Sequence, residues 1–247
     1  MPMARTEGAL PLRSIGVGPA ACRWVRAAMC CGTATCSGMR ECVHDCEGTV
    51  SDPAERGREL LARGAWDEAR GCFEQALERS DSAEAWDGLS WACWWLEDEA
   101  AAMRAREHAY RRYKDAGDRQ GAARMAIWLA NDHLDFRGEE AVAQGWLRRA
   151  TRILDDLAPA PEHGWHAALE AEMALARGDT AAALRLGARE LGRGLGNTDL
   201  EMLGLATEGL ALVTEGEVGA GMRCLDEATA AALGGEFRLG ATPRAPW

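Results

Sequence analysis

Lysine is almost missing from this chain, because 27 of its 28 basic residues are arginine and Lys114 is the only lysine. A Walker-type phosphate loop needs Gly-Lys followed by Ser or Thr, so the sequence excludes that class of nucleotide site. Acids outnumber bases by 39 to 28, which gives a net charge of −11. No dense basic cluster occurs, whereas proteins that bind nucleic acids usually carry one. We therefore expect no direct contact with nucleic acid.

Sheet-forming and membrane-spanning patterns are also scarce. Alternation of Val, Ile or Thr with polar residues is rare, which argues against strands. No run of about 18 apolar residues exists, as a membrane helix would require. The first residues lack the apolar core of a secretion signal. These features predict an all-α, cytoplasmic protein without membrane contact.

Phenylalanine and tyrosine are few, so that Trp supplies ten of the fifteen aromatic residues. Apolar residues nevertheless make up 47% of the 247 residues, enough for a sizeable core. Most of that core must then be Ala and Leu. This composition favours closely packed helices, because both residues have high helix propensity.

A spaced pattern of small and large residues repeats along the chain. Its anchors are Gly64, Glu97, Gly138, Gly178 and Gly216, which lie 33, 41, 40 and 38 residues apart. That period is typical of helix-hairpin repeats, whose units bury their apolar faces only by stacking. The fourth unit departs from the pattern. The residues five, nine and twelve positions after each anchor are Ala69, Phe73, Ala76; Ala102, Arg106, Ala109; Ala143, Leu147, Ala150; Ala183, Gly187, Glu190; and Gly221, Leu225, Ala228.

Capping residues indicate where the repeats begin. Asp52 suits the N-cap and Pro53 the first position of a helix that runs to about Arg63. We expect residues 51–235 to form an α-solenoid of about five hairpins. Residues 1–50 are expected to be a disordered tail, and residues 236–247 a loose one.

The fourth hairpin carries further signals. The sequence predicts a helix from His163 to Arg177, and a partner helix from Thr180 to about Gly192. A glycine-rich loop over residues 192–197 should follow. Thr198 and Glu201 then form a capping box that starts the next helix.

Six of the nine cysteines lie in residues 1–50. One interpretation is a metal knuckle that uses Cys36, Cys42, His44 and Cys46. The spacing does not fit zinc sites, which pair ligands as Cys-x2-Cys with a second pair further along. The other interpretation is a disordered tail, or upstream sequence that precedes the true start of translation. We expect no metal site.

One set of residues is predicted to form a partner-binding groove. Aromatic rings with a few acids suit a peptide or helix that carries basic groups. The alternative is that the tryptophans simply pack one hairpin on the next. The predicted groove residues are Trp91, Trp94, Trp95, Trp128, Asp132, Asp135 and Phe136.

The sequence contains no convincing catalytic constellation. Asp132, His133 and Asp135 include an acid and a base, but no nucleophile stands at a recognisable motif nearby. His163 and His166 supply too few ligands for a metal, and helix capping with solvent exposure is the expectation for them. We predict neither an enzyme nor a bound cofactor.

The first repeat unit resembles the tetratricopeptide repeat. The residues that carry this resemblance are GAWDEARGCFEQAL from Gly64, followed by AWDGL from Ala85. The resemblance implies stacked hairpins in which Phe73 fills the space between units. The chain departs from that family at Asp81, where a proline usually closes the repeat.

A longer resemblance covers residues 51 to 233. Segments such as AWDGLSWACWWLEDEAAAMRARE and WLANDHLDFRGEEAVAQGWLRRA are similar to the helical-repeat region of LuxR-family transcriptional regulators. Such regulators join a sensor arm to a C-terminal helix-turn-helix. Only fourteen residues follow Leu233, so we expect a regulator truncated before that DNA-binding element, or a free-standing repeat domain derived from one.

These patterns lead to one functional expectation with two alternatives. The leading interpretation is a module that binds a protein or peptide partner and resembles the regulatory arm of a LuxR-type regulator. An uncovered apolar face on the last hairpin would also allow self-association, because terminal repeats normally need a polar cap. A small-molecule effector pocket between hairpins is the first alternative, and a metal-dependent enzyme is the remote one.

Overall fold

The computed structural model describes residues 52–234, which form eleven helices. The predicted N-terminal tail, its cysteine and histidine knuckle, and the predicted C-terminal tail lie outside the described residues. The helices are α1 (Pro53–Ala62), α2 (Trp66–Arg79), α3 (Ala83–Trp95), α4 (Glu99–Asp115), α5 (Arg119–Arg137), α6 (Glu140–Leu154), α7 (Pro161–Ala176), α8 (Thr180–Arg185), α9 (Ala188–Gly194), α10 (Thr198–Thr214) and α11 (Val218–Leu233).

Consecutive helices pack as five antiparallel hairpins, which confirms the predicted all-α helical repeat. The pairs are α1 with α2, α3 with α4, α5 with α6, α7 with α8 and α9, and α10 with α11. First helices of successive hairpins also touch, since α1 packs on α3, α5 on α7, and α7 on α10. No helix among residues 52–234 is both long and apolar enough to cross a membrane.

The five repeat anchors all lie at the turn between the two helices of a hairpin. Each has a positive φ: 75° at Gly64, 62° at Glu97, 64° at Gly138, 79° at Gly178 and 92° at Gly216. Glycine adopts this left-handed conformation without a steric cost, which explains its recurrence there. Glu97 is the one non-glycine residue with positive φ in the described part of the chain.

The space between the first two hairpins is filled by Phe73, as predicted. Its side chain is fully buried and lies between two glycines of neighbouring helices. A Cβ atom added at Gly57 in α1 would lie 2.9 Å from the ring, and one at Gly88 in α3 would lie 2.3 Å from it. Both glycines are therefore needed to admit the aromatic ring.

Cap geometry confirms the predicted start of the domain. The Asp52 side chain accepts a hydrogen bond from the Ala54 amide at 3.3 Å, and Pro53 occupies the first helical turn.

The fourth hairpin differs from its prediction. Its second helix breaks after Arg185, and Gly187 has a φ of 64° before α9 begins, so one continuous helix to Gly192 was wrong. The predicted loop is also shorter, because α9 continues to Gly194. Asn197, rather than Thr198, caps α10 by accepting a hydrogen bond from the Leu200 amide at 3.0 Å. The break lies at Gly187, nine residues after the anchor Gly178. The other four units have a larger residue at this repeat position.

Candidate peptide-binding surface

Helix α3 places three tryptophans on one side. Ser82 starts the helix, and its hydroxyl accepts a hydrogen bond from the Ala85 amide at 3.2 Å. Trp91, Trp94 and Trp95 then follow at spacings of three and four residues, which project from neighbouring positions of a helix. This local geometry is set by the sequence alone.

Six indole rings form a continuous chain of contacts, which we call the tryptophan row. Its members come from α2, α3, α5 and α7. Neighbouring ring centroids are separated by 4.9, 4.9, 6.0, 4.9 and 5.6 Å, and three of the five contacts are edge-on. Such spacings are favourable for aromatic pairs. In order, the row consists of Trp66, Trp95, Trp94, Trp91, Trp128 and Trp165.

The members of the row differ in exposure. Trp94 is only 9% exposed and belongs to the apolar core with Phe73. Trp91, Trp95 and Trp128 are half-buried, so part of each ring faces outward. Phe136 is also half-buried and packs against the cluster that contains Trp94. The packing role therefore holds fully for Trp94, while the other tryptophans pack against the core and keep part of their surface accessible.

A buried ion pair lies behind the row. Arg106 of α4 and Asp132 of α5 are both fully buried, and their side chains form a salt bridge. The Arg106 guanidinium lies 4.9 Å from the Trp91 ring centroid and 5.6 Å from that of Trp128. Its Nη1 also donates to the Trp128 carbonyl at 3.2 Å. The cation is thus held by one carboxylate, one carbonyl and two aromatic faces.

This pair is incompletely hydrogen-bonded within residues 52–234. Nε and Nη2 of Arg106 and Oδ2 of Asp132 are buried without a hydrogen-bond partner there. Burial raises the pKa of Asp132 to about 6, although the neighbouring Arg106 acts in the opposite direction. A buried carboxylate with one unsatisfied oxygen is costly to keep ionised. The pair therefore connects α4 to α5 at a price in desolvation.

The seven predicted groove residues have different environments. Asp132 was predicted to line an open groove, but it is enclosed by the fold and faces Arg106. Asp135 is half-buried and accepts a hydrogen bond from the Asn131 amide group at 3.0 Å. Trp91, Trp94, Trp95 and Trp128 come together in one contact chain. Whether a partner contacts the exposed members stays a prediction.

A second polar connection was not predicted from the sequence. Arg124 of α5 contacts Asp87 of α3 at 3.0 Å and Glu162 of α7 at 3.3 Å. All three side chains are almost fully buried. The hydroxyl of Tyr113 also donates to Asp87 at 3.2 Å, and burial raises the Tyr113 pKa. The guanidinium joins three first helices, so the row has a fixed support.

Sequence reasoning missed Trp66 and Trp165 as members of the row. A signal for Trp165 was present, because Trp91, Trp128 and Trp165 are each 37 residues apart. These residues lie on α3, α5 and α7, the first helices of three successive hairpins. Trp66 offered no such signal, since it is the first residue of α2, the second helix of its hairpin, and meets the row only in the folded structure.

The histidines act as structural groups. His163 accepts a hydrogen bond from the Ala160 amide at 3.2 Å, which confirms its predicted capping role. His166 is buried and contacts the Thr151 hydroxyl at 2.9 Å, so its predicted solvent exposure was wrong. Within residues 52–234, no group of three or more His, Cys, Asp or Glu side chains has the arrangement of a metal site.

Comparisons with protein-family models and with curated proteins found no match for this chain. The fold thus defines an all-helical domain of sequentially paired helices, and the chemistry of its surfaces has to be argued from its own residues.

Proposed function

We propose that this domain binds a peptide or a protein helix, and that the half-buried rings of the tryptophan row form the contact surface. The observation that carries the proposal is the row itself, which runs across α3, α5 and α7 and leaves Trp91, Trp95 and Trp128 partly exposed. Tryptophan is enriched among the residues that dominate binding energy at protein interfaces. The proposed partner presents apolar side chains to these rings.

Rigidity supports the proposal. The Arg124 bridge and the buried Arg106–Asp132 pair fix the helices that carry the rings. Each indole is also restrained by the next. A surface that is already ordered loses little conformational entropy on association, so more of the contact energy contributes to affinity.

Charge indicates which partner fits. The chain carries a net charge of −11. Asp135 follows Trp128 by two helical turns, and Glu172 follows Trp165 at the same spacing, so each acid shares a helix side with a ring of the row. Both acids are half-buried. We infer that the partner carries Arg or Lys beside its apolar residues, because complementary charge raises association rate and specificity.

A peptide selection tests this function. A phage-displayed library of random peptides is selected on the intact chain, and the affinity of enriched peptides is measured by calorimetry. We expect enriched sequences to combine basic and apolar residues. Trp95→Ala and Trp128→Ala should each weaken binding by about tenfold or more, equivalent to about 1.4 kcal/mol.

The matched control is Trp86→Ala. Trp86 also lies on α3 and is half-buried, but it stacks on His108 at 4.4 Å outside the row. It should leave peptide affinity unchanged, and circular dichroism should show that all variants keep their helicity. Selection of no peptide, or equal losses for Trp86 and Trp95 variants, would contradict the proposal.

The resemblance to the helical arm of LuxR-family regulators is consistent with such a role, and so is the tetratricopeptide-like first unit. Both resemblances stay predictions, as does the cytoplasmic location. The acidic net charge favours a protein partner over nucleic acid.

We also propose self-association through α11. Its exposed apolar side chains include Val218 at 53%, Met222 at 45% and Leu233 at 77% exposure. Large exposed apolar patches often mark contact surfaces. Light scattering should show a dimer that Met222→Glu converts to monomer. A monomer at every concentration would contradict this proposal.

A further inference from the structure

A groove opens between α6, α7 and α8, away from the tryptophan row. Its volume is about 470 Å³, within the usual range of about 300–1,000 Å³ for small-molecule sites. Leu147, Met173 and Ala174 are buried and form its apolar floor, and Leu186 adds a half-buried edge.

The groove lies next to the break in the fourth repeat, since Leu186 lines it and Gly187 follows directly. Helix α8 has only six residues and ends at Arg185, before Gly187 turns the chain. Gly187 occupies the position where other units have Phe73, Arg106 or Leu147, all of which are buried. The fourth unit therefore has no large side chain at this repeat position.

The rim of the groove is basic. Arg148 of α6, Arg177 at the end of α7 and Arg185 of α8 all line it. Arg177 is paired with Glu140 at 3.1 Å. For Arg148 and Arg185, which are exposed, no side-chain ion pair exists within residues 52–234. The one acid in the lining, Glu170, lies 3.5 Å from His166. Two guanidinium groups therefore remain available to a ligand.

The equivalent space two hairpins earlier in the chain can be compared with this groove. A smaller groove of about 220 Å³ lies between α2, α3 and α4. There, Glu74 occupies the repeat position of Arg148, and Arg104 that of Arg185. Glu74 is paired with Arg70 at 2.9 Å, so its charge is already neutralised. The larger groove thus has arginine where the smaller one has a paired acid.

We propose that the groove between α6, α7 and α8 binds a small organic anion with an apolar body, of the type of a medium-chain carboxylate. The head group would lie between Arg148 and Arg185, because guanidinium groups match carboxylate geometry with two hydrogen bonds. The apolar chain would lie on Leu147, Met173 and Ala174. This site is independent of the proposed peptide surface.

Calorimetry with decanoate, below its micelle-forming concentration, tests the site on the full chain. We expect saturable binding of one decanoate per chain, with decyltrimethylammonium and inorganic phosphate both weaker by about tenfold or more. Arg148→Glu combined with Arg185→Glu should reduce decanoate affinity by at least about tenfold. Because both side chains are exposed, helicity should be unchanged.

Three further variants test whether binding occurs in this groove. Ala182→Phe should block binding, since Ala182 is half-buried and lines the groove. Arg223→Glu, an exposed arginine on α11, should have no effect on decanoate affinity. Trp95→Ala should likewise leave it unchanged, which separates this site from the tryptophan row.

Several results would overturn the proposal. Equal affinity for decanoate and the decyl cation would mean that the arginines do not select the head group. Phosphate binding as tightly as decanoate would mean a simple anion site. An acidic amphipathic peptide that binds this groove while decanoate does not would identify a protein ligand instead.

Discussion

The first and second hairpins bury a large side chain at the same repeat position, but one side chain is apolar and the other is charged. Nine residues after its anchor, the first hairpin has Phe73, whose ring is fully buried between Gly57 and Gly88. At the same repeat position the second hairpin has Arg106, which is also fully buried but lies against Trp91 and Trp128. One interface is purely apolar, and the other contains a cation with a buried counter-ion.

The difference shows that this repeat position holds a large side chain in both hairpins, while its neighbours determine which one is accepted. Glycines on both sides make room for a rigid ring. Tryptophans and Asp132 make a guanidinium acceptable, since aromatic faces and a carboxylate offset part of its desolvation. The charged interface leaves buried polar atoms without hydrogen-bond partners among the described residues, so we expect it to be the more sensitive of the two to substitution.

The largest expected effect comes from breaking the charged interface. Arg106→Met leaves Asp132 buried without its counter-ion, and should lower the free energy of unfolding by about 3–5 kcal/mol in urea titrations. Arg104→Met is the control, because Arg104 is exposed on the same helix and should change stability little.

Replacing both partners sharpens the same test. Arg106→Met combined with Asp132→Leu should recover most of the lost stability, because no uncompensated charge remains. A double variant as unstable as the single one would mean that packing volume, rather than charge, determines this interface.

The pH dependence of stability should also distinguish the charged interface. The folded pKa of Asp132, about 6, exceeds the ordinary value of 3.8. Its contribution to stability is therefore fully present below about pH 4 and is lost as the pH rises through 6. Wild-type stability minus that of Asp132→Asn should fall by up to about 3 kcal/mol over this window.

Subtracting the stability of Asp132→Asn from that of the wild type removes the pH effects of all other carboxylates, because both proteins contain them. A difference that stays flat, or that increases with pH, would show that Arg106 keeps Asp132 ionised at no cost.

The apolar interface should be sensitive to size instead. Gly88→Ala adds a Cβ that would lie 2.3 Å from the Phe73 ring, and we expect a loss of about 1–3 kcal/mol in unfolding free energy. Gly71→Ala, in α2 with no atom within 4 Å of the added Cβ, should instead stabilise by about 0.5–1 kcal/mol. Equal effects at the two glycines would contradict the proposed fit around Phe73.

The smallest effect concerns the turns that precede the two interfaces. Glu97 has a φ of 62°, where the first hairpin has Gly64. Glu97→Gly should be more stable than Glu97→Ala by about 1 kcal/mol, because only glycine relieves the left-handed strain. Both variants lose the Glu97 side chain, so thermal unfolding isolates the backbone effect. Identical melting temperatures would show that the turn is unstrained.

Much of the fold was readable from local patterns. The five anchors predicted the hairpin turns because each of these turns places one residue in the left-handed region, where glycine is favoured. The start of α1 followed from Asp52 and Pro53. The fourth hairpin was mispredicted at Gly187, because helix-forming residues on both sides of it concealed a break that depends on packing.

The candidate surface was less predictable. The clustering of Trp91, Trp94 and Trp95 follows from helical spacing, but their exposure depends on which neighbours cover them. Asp132 is polar and was expected to face solvent, yet α4 brings Arg106 against it. Such a contact joins residues 26 positions apart, and no local signal encodes it.

Outside the fourth hairpin, the sequence by itself determined the helices, their pairing and the positions of the turns, because periodicity, capping and left-handed conformations are properties of short segments. Only the tertiary structure decided which side chains are enclosed. Burial of Arg106, exposure of part of Trp95 and the open groove beside Gly187 all depend on how successive hairpins stack. Stacking brings together residues from different repeats. The contacts between hairpins therefore determine which side chains lose water and at what free-energy cost.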